Sequence, residues 1–301
     1  MLSSFKNYLR ELWGSRLPAE FEVKYEVIRE CGRGTFGRVL QVREKSKDDE
    51  KEQEEAVTFA AKVVSIKDVP KEYAMLEVHA LEKLKGSEHI VGMVGWFLEE
   101  PVCSKMVILM DFVDGENLFD IVARNGPVRD MAKAVVLFRH LLLALRCMHR
   151  EDLVHGDVKI ENAVIKGFES DHAELTLIDL GTVAESGVRR KYRSNTEMYI
   201  APEARSTPPH PINDLFSAGI FLHRMLCAVP PEYDCTSGPT AIMDTTVACY
   251  RNVPNLAKDL VLKLTTYDVE KRLTSTAALN HAWVVPSSLG KTVNAEDILL
   301  L

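Results

Sequence analysis

The segment His155-Gly-Asp157-Val-Lys159-Ile-Glu-Asn162 brings a carboxylate, a lysine two residues on and an amide five residues on. Those three groups can serve one triphosphate. The carboxylate orients a hydroxyl and accepts its proton, the lysine neutralises a transferring phosphoryl group, and the amide oxygen ligates a metal. Seventeen residues after Asn162, Leu175-Thr-Leu-Ile-Asp179-Leu-Gly181 sets an acid at the end of a strand-like run. A hard cation such as Mg²⁺ takes oxygen ligands of this kind. Taken alone, Asp-Leu-Gly is an ordinary turn.

Two further features lie upstream. Gly32-Arg-Gly34-Thr-Phe-Gly37-Arg-Val39 sits between two strand-like runs. Glycines at such spacings let backbone N–H groups approach phosphate oxygens without side-chain obstruction. No helix is expected directly after it, so the dinucleotide-binding fingerprint does not apply. Lys62 lies inside the apolar run Ala60-Ala-Lys-Val-Val64 and needs an anionic partner. Glu77, at the start of a helical run, supplies one. A lysine snorkelling to the surface is the plain alternative.

The surrounding pattern sets these groups on elements. Residues 25–30, 38–43 and 58–64 read as strands, 71–84 as a helix, and 90–98 and 106–112 as further strands. Beyond Gly115 the periodicity turns helical over 117–125, 129–150, 212–228 and 255–266. A strand-rich first third followed by a helix-rich remainder predicts an α+β chain in two lobes. Residues 2–17 space Leu2, Phe5, Leu9, Leu12, Trp13 and Leu17 as an amphipathic helix. Packing on the body of the protein is its expected use, ahead of docking to a membrane or a partner.

Composition narrows the class. The chain has 301 residues, 37 Lys and Arg against 44 Asp and Glu, and a formal charge of −7, which argues against nucleic acid as a partner. Residues 44–55 hold seven acids and three bases, and read as a solvated hairpin loop. Six scattered cysteines with no C-x-x-C pair point to free thiols in a reducing, intracellular setting, cytoplasmic or nuclear. Neither a secretory leader nor a transmembrane run is expected.

In order, the glycine loop, Lys62, Glu77, His155-Gly-Asp157, Asn162, Asp179-Leu-Gly181, Ala201-Pro-Glu203, Asp214 before Ser217-Ala-Gly219, and Arg272 near Asn280-His-Ala-Trp283 resemble the eukaryotic protein kinase family, Ser/Thr type. The resemblance covers residues 25–284 and implies the bilobal kinase fold. Its N-lobe would span about 25–110 and its C-lobe about 114–284, with an N-terminal helix over 1–24 and a tail over 285–301. It also implies ATP and Mg²⁺ as cofactors and Ser/Thr hydroxyls of proteins as acceptors. Gly32, Gly34 and Gly37 would cover the phosphates, and Val39, Ala60 and Val164 would sandwich the adenine. Met110 would be the gatekeeper, Asp111-Phe112-Val113 the hinge, and Asn117 would lie near the ribose. Lys62 would hold the α- and β-phosphates and pair with Glu77. Asp157 would be the catalytic base, Lys159 the γ-phosphate ligand, and Asn162 and Asp179 the metal ligands. Glu203 and Arg272 resemble the family's buried ion pair, and Asp214 the acid that braces the catalytic loop. Leu81, Met93, His155 and Leu180 match its apolar spine.

Departures matter as much. Gly156 stands where most kinases have arginine, the usual receptor for an activation-loop phosphate. Its absence predicts either constitutive competence or control by a protein partner. Leu180 replaces the usual phenylalanine, and Asn195 a glycine. Around Asp179 the chain is similar to Pim-type kinases, and from Thr274 to Trp283 to the calmodulin-dependent group. Arg189, Arg190, Lys191 and Arg193 crowd the activation segment. Arg224 lies where arginine-directed kinases often have glutamate. These bases predict tolerance of acidic or neutral substrate flanks, or else form a solvated loop. Glu296-Asp-Ile-Leu-Leu-Leu301 fits an acidic dileucine pattern, although leucines folded onto the large lobe are the commoner outcome. The competing class is a pseudokinase scaffold or allosteric module on the same fold. A small-molecule kinase is a third, disfavoured by Thr196 and the Ala201-Pro-Glu203 segment.

Overall fold

Alternation of apolar residues in the first third builds a five-stranded sheet. The computed structural model describes residues 17–34, 37–45, 57–99, 104–189, 197–231 and 244–285. The chain divides into two units. One holds the described residues up to Lys85 together with Val91–Val113, and the other holds Gly86–Ile90 and the described residues from Asp114 on.

The first unit starts with a short helix, α1 (Ala19–Lys24). Strands β1 (Tyr25–Gly34), β2 (Gly37–Glu44) and β3 (Thr58–Ser65) follow, then helix α2 (Lys71–Lys83), β4 (Met93–Leu98) and β5 (Lys105–Asp111). The strand order is β1-β2-β3-β5-β4, every neighbouring pair antiparallel. Period-two alternation gives each strand two faces. Leu40, Val42, Ala61, Val63, Val107 and Leu109 form one core with Leu17 and Phe21. Phe21 closes that face, its ring 5.3 Å from Tyr25 and 5.4 Å from Phe97. The intervening positions are buried too, Met106 to Met110 without a break, so β5 is covered on both faces. Of the acidic stretch 44–55, expected as a loop, Glu44 instead ends β2, and its residues from 46 on lie outside the described residues, as do residues 1–16 of the expected N-terminal helix.

In the second unit, helix spacing does the same work. Short β6 (Glu116–Asn117) precedes α3 (Leu118–Asn125) and α4 (Met131–Arg150). Then come β7 (Leu153–Val154), β8 (Ala163–Lys166), β9 (Glu174–Leu177), β10 (Ala184–Glu185), α5 (Pro211–Cys227), α6 (Asn255–Leu264) and α7 (Ser275–Leu279). Helix α4 buries Ala134, Leu137, Phe138, Leu141, Leu142, Ala144, Leu145 and Met148, a stripe spaced three to four apart. Helix α5 is buried on nearly every side and is stopped at its start by a reciprocal His210–Asn213 capping box. Strands β6, β8 and β9 form a small antiparallel sheet, and β7 pairs with β10. The first unit is built on strands and the second mostly on helices, the α+β composition expected from the pattern.

The strand expected over 90–98 begins only at Met93. Ile90 instead makes a parallel bridge to Leu177 in the second unit, and Gly92 comes so close to Asp111 that a Cβ there would meet its Oδ2 at 2.2 Å. Next to that bridge, His89 and His140 stack with ring centroids 3.8 Å apart. His89 Nδ1 donates to the Leu175 carbonyl, and His140 Nδ1 accepts the Leu175 N–H. Among the described residues, no helix is long and apolar enough to cross a membrane.

Candidate active site

In the first unit the sheet register sets Lys62 between Val39 on β2 and Ile108 on β5. Its side chain points to the face covered by α2. There Nζ donates to both carboxylate oxygens of Glu77, at 2.6 and 2.8 Å. Both residues are buried, Lys62 at 5% exposure and Glu77 at 2%. An isolated buried lysine is costly, and a two-oxygen contact with a buried carboxylate is the arrangement that offsets it. Snorkelling is therefore excluded for Lys62.

The glycine run forms the turn end of the β1–β2 ribbon, with Gly32 facing Val39 and Gly34 facing Gly37. A Cβ on Gly32 or Gly34 would meet nothing within 4 Å, so packing does not demand glycine there. Gly37 differs. Its φ is +149°, and a Cβ would fall 2.0 Å from the Val63 carbonyl oxygen, so only glycine fits. Thr35 and Phe36 lie outside the described residues. Ala60 pairs with Met110, which is buried, and Asp111 hydrogen-bonds through its backbone N–H to Gly92. Val113 is the last residue of this unit.

In the second unit, the loop after β7 is held from below by one carboxylate. Asp214, in the first turn of α5, is 1% exposed. Its Oδ2 accepts the His155 N–H at 2.8 Å and faces His149 Nε2 at 2.9 Å, while its Oδ1 accepts the Gly156 N–H at 2.9 Å. Thr182 Oγ1 donates to the His155 carbonyl at 2.8 Å. Val158 and Ile160, both fully buried, anchor the loop between its polar residues.

Above that platform Asp157 and Lys159 meet, Nζ to Oδ2 at 2.6 Å. Asn162 Nδ2 donates to the Asp157 carbonyl at 2.8 Å and to its Oδ2 at 3.2 Å. The amide oxygen of Asn162 is thereby turned away from Asp157, and no donor occupies it among the described residues. The Asn162 carbonyl accepts the Ile178 N–H at 2.9 Å, which ties this loop to the segment carrying Asp179. Asp179 adopts φ +62°, a left-handed conformation unusual for aspartate, with its Oδ1 accepting the Gly181 N–H at 3.2 Å. Asp157, Lys159 and Asn162 are thus brought together, with Asp179 joined through backbone. Mg²⁺ fits this oxygen donor set.

Asn117 has a use that spacing did not reveal. Its Oδ1 caps α3 by accepting the Phe119 N–H at 2.8 Å, and its Nδ2 donates to the Glu161 carbonyl. Val164, its ladder neighbour on β8, packs where a Cβ on Gly115 would reach its Cγ1. His149 and Thr182 were also missed as loop supports. His149 sits at the end of an apolar helix, and nothing in its local pattern marks it.

Glu203 and Arg272 form a two-point pair, Nη1–Oε1 at 2.5 Å and Nη2–Oε2 at 3.1 Å. Burial pushes the Glu203 carboxyl up, but Arg272 and Asn213 donate to it, and the net shift is downward. Of the basic activation-segment residues, Arg189 is described, its Nη2 donating to the Ser206 carbonyl at 2.6 Å. Arg190, Lys191, Arg193, Asn195, Thr196 and the tail 286–301 lie outside the described residues.

A family model described as protein kinase domain matches residues 25–284. The chain is 28% identical over 288 residues to myosin light chain kinase A of Dictyostelium discoideum, covering 91% of this chain and 92% of that protein. It is 29% identical over 299 residues to calcium-dependent protein kinase 32 of Arabidopsis thaliana, 92% of this chain but 52% of the relative. Death-associated protein kinase dapk-1 of Caenorhabditis elegans is 28% identical, and there the chain spans only 19% of the relative. Against these last two, the chain spans about half the relative's length or less.

Proposed function

The chain belongs to the protein kinase family, and on that premise we propose that it transfers the γ-phosphoryl group of ATP to Ser or Thr hydroxyls of protein substrates. The observation that carries this reading is the buried Lys62–Glu77 pair, since a lysine held in place by a carboxylate is pre-positioned for phosphate. Asp157 accepts the acceptor hydroxyl's proton. Lys159 neutralises the transferring group, and Asn162 and Asp179 hold Mg²⁺. When bound, the metal screens charge on the phosphate oxygens. Gly32, Gly34 and Gly37 would bind the phosphates, Val39, Ala60 and Val164 the adenine, and Met110, Asp111, Val113 and Asn117 the rest of the nucleotide.

The proposal extends to regulation. Gly156 carries no side chain to receive a phosphate, which supports activity without activation-loop phosphorylation, with any control exerted by a protein partner. The resemblance to the calmodulin-dependent group agrees with the names of the relatives.

The test is ATP-dependent phosphorylation of a Ser/Thr protein mixture by the wild type, by Asp157→Asn and by Lys62→Met. Activity in the wild type lost in both variants supports the reading. Nucleotide binding with no transfer by the wild type would instead identify a pseudokinase scaffold. Activity abolished by phosphatase treatment through a site in 182–199 would overturn the regulatory part.

A further inference from the structure

Helix α4 carries three arginines on the face opposite its core. At about 100° per residue, Val136, Arg139, Leu143, Arg146 and Arg150 fall on one stripe, turned away from the buried positions of the same helix. Val136 and Arg150 are exposed, and the other three are half-buried. Among the described residues, none of the three guanidinium groups enters an ion pair or a hydrogen bond. Glu151 and Asp152 follow directly and pair with none of them. Burial and the charges of Arg150 and Arg139 push the Arg146 guanidinium below its ordinary value. The helix C-terminus favours Arg150, which lies in the last turn, but that effect does not reach back to Arg139. Like charges along one helix face are destabilising. The chain has 44 acids, yet among the described residues none is set against this stripe.

The stripe has defined flanks. On one side His140 stacks on His89, and the Cys147 thiol meets Ser87 Oγ at 3.0 Å, so the segment Gly86–Ile90 covers that flank. On the other, Phe138 packs on Trp283 with ring centroids 6.1 Å apart. Val285 is the last described residue, so the chain leaves this unit beside α4. Glu296 follows Val285 by eleven residues, a reach of up to about 36 Å when extended. The stripe from Arg139 to Arg150 is about 16 Å long. The segment Glu296-Asp-Ile-Leu-Leu-Leu301 brings two carboxylates and four apolar side chains. Those groups complement three guanidiniums interleaved with Val136 and Leu143.

We propose that the α4 face formed by Val136, Arg139, Leu143, Arg146 and Arg150 is a docking surface for the chain's own segment 296–301. Glu296 and Asp297 meet the arginines, and the apolar residues that follow cover Val136 and Leu143. A guanidinium takes a carboxylate through two parallel hydrogen bonds. A tether within reach raises the local concentration of those acids above that of an outside partner. A single phosphate ion does not fit the pattern, since the outer arginines stand about three helical turns apart. No part of this docking rests on the phosphoryl-transfer reading.

The test is hydrogen–deuterium exchange on the full chain. Amides of 296–301 should exchange at least about tenfold more slowly than those of a free peptide with the same sequence. The double variant Arg139→Glu/Arg146→Glu should release that protection, and Val136→Ala part of it. The reversal Glu296→Arg/Asp297→Arg should release it too. Combining the two reversals should restore it, because the charges are then exchanged in place. High salt should weaken protection, since the pairs are partly exposed. Should the reversal on α4 disturb the helix, Arg139→Gln/Arg146→Gln removes the charge alone and should give the same release. Exchange of 296–301 at the free-peptide rate in the wild type would overturn the inference. Protection untouched by both arginine variants, or not restored by the combined reversals, would overturn it as well. So would protection that rises with protein concentration, which would seat the segment on a second copy.

Discussion

The Asp214 carboxylate fixes Gly156 by its backbone, Oδ1 accepting the Gly156 N–H at 2.9 Å while that residue holds φ +78°. A Cβ at Gly156 would sit 3.0 Å from the Thr182 carbonyl oxygen. Glycine here thus relaxes a backbone position that a side chain would strain. Gly156→Ala should lower stability by about 1–3 kcal/mol, the cost of a left-handed non-glycine residue in a tight site. Chemical denaturation measures it, and an unchanged midpoint would contradict the argument.

Removing Asp214 should be more severe. Asp214→Ala strips acceptors from two backbone N–H groups and from His149. Each unsatisfied buried donor costs about 1–3 kcal/mol, so a loss of several kcal/mol and a collapse of activity are expected. Asp214→Asn keeps the size but offers one acceptor oxygen, and should fall between the two in melting temperature.

Lys62 and Glu77 should behave as a unit in stability but not in activity. Lys62→Met leaves a buried, uncompensated carboxylate, at a cost of about 3–5 kcal/mol. Adding Glu77→Leu should restore most of that stability, because a buried ion pair replaced by apolar groups is often neutral. Phosphoryl transfer should stay lost in both. A double variant no more stable than Lys62→Met would mean that the pair does not carry the cost.

Glu203 gives the chain an acid limb. Its folded-state carboxyl lies below its ordinary value of 4.5, so its contribution is fully present above that pH. It is lost as pH falls through the depressed folded value. Glu203→Gln should be less stable at neutral pH and show a smaller loss between about pH 4.5 and lower values. Parallel melting curves for the two proteins across that window would sink the assignment.

His140 sets a second window at higher pH. Burial, then the charges of His89 and Arg139, push it down to about 4 from an ordinary 6.5. The unfolded chain therefore binds the proton first, and stability should fall as pH drops from about 6.5 toward 4. His140→Phe should flatten that part of the profile in a melting-temperature titration.

Much of this was legible in the chain. The helices of the second unit follow apolar residues three to four apart, and their observed ends at Arg150, Cys227 and Leu264 fall within two residues of those the pattern predicts. Strands β1, β2, β3 and β5 likewise follow alternation and runs of β-branched residues. Strands β6 and β7 are two residues each, too short for any period to register. The start of β4 was misplaced because Ile90 and Val91 are as apolar as the strand itself. Only the bridge to Leu177 separates them.

The sequence by itself determined which charges are present and in what order. Lys62, Glu77, Asp157, Lys159, Asn162 and Asp179 are chemistry written into the chain, and so is the missing side chain at Gly156. Tertiary structure alone decided which of them are satisfied. Lys62 faces Glu77 because sheet register and helix packing aim both inward. Asp214 gathers groups from α4 and from the loop after β7 that stand 58 to 65 residues away. Arg272 finds Glu203 across 69 residues. A hydrogen bond depends on position within a fraction of an ångström, and local sequence patterns do not carry that information across such separations.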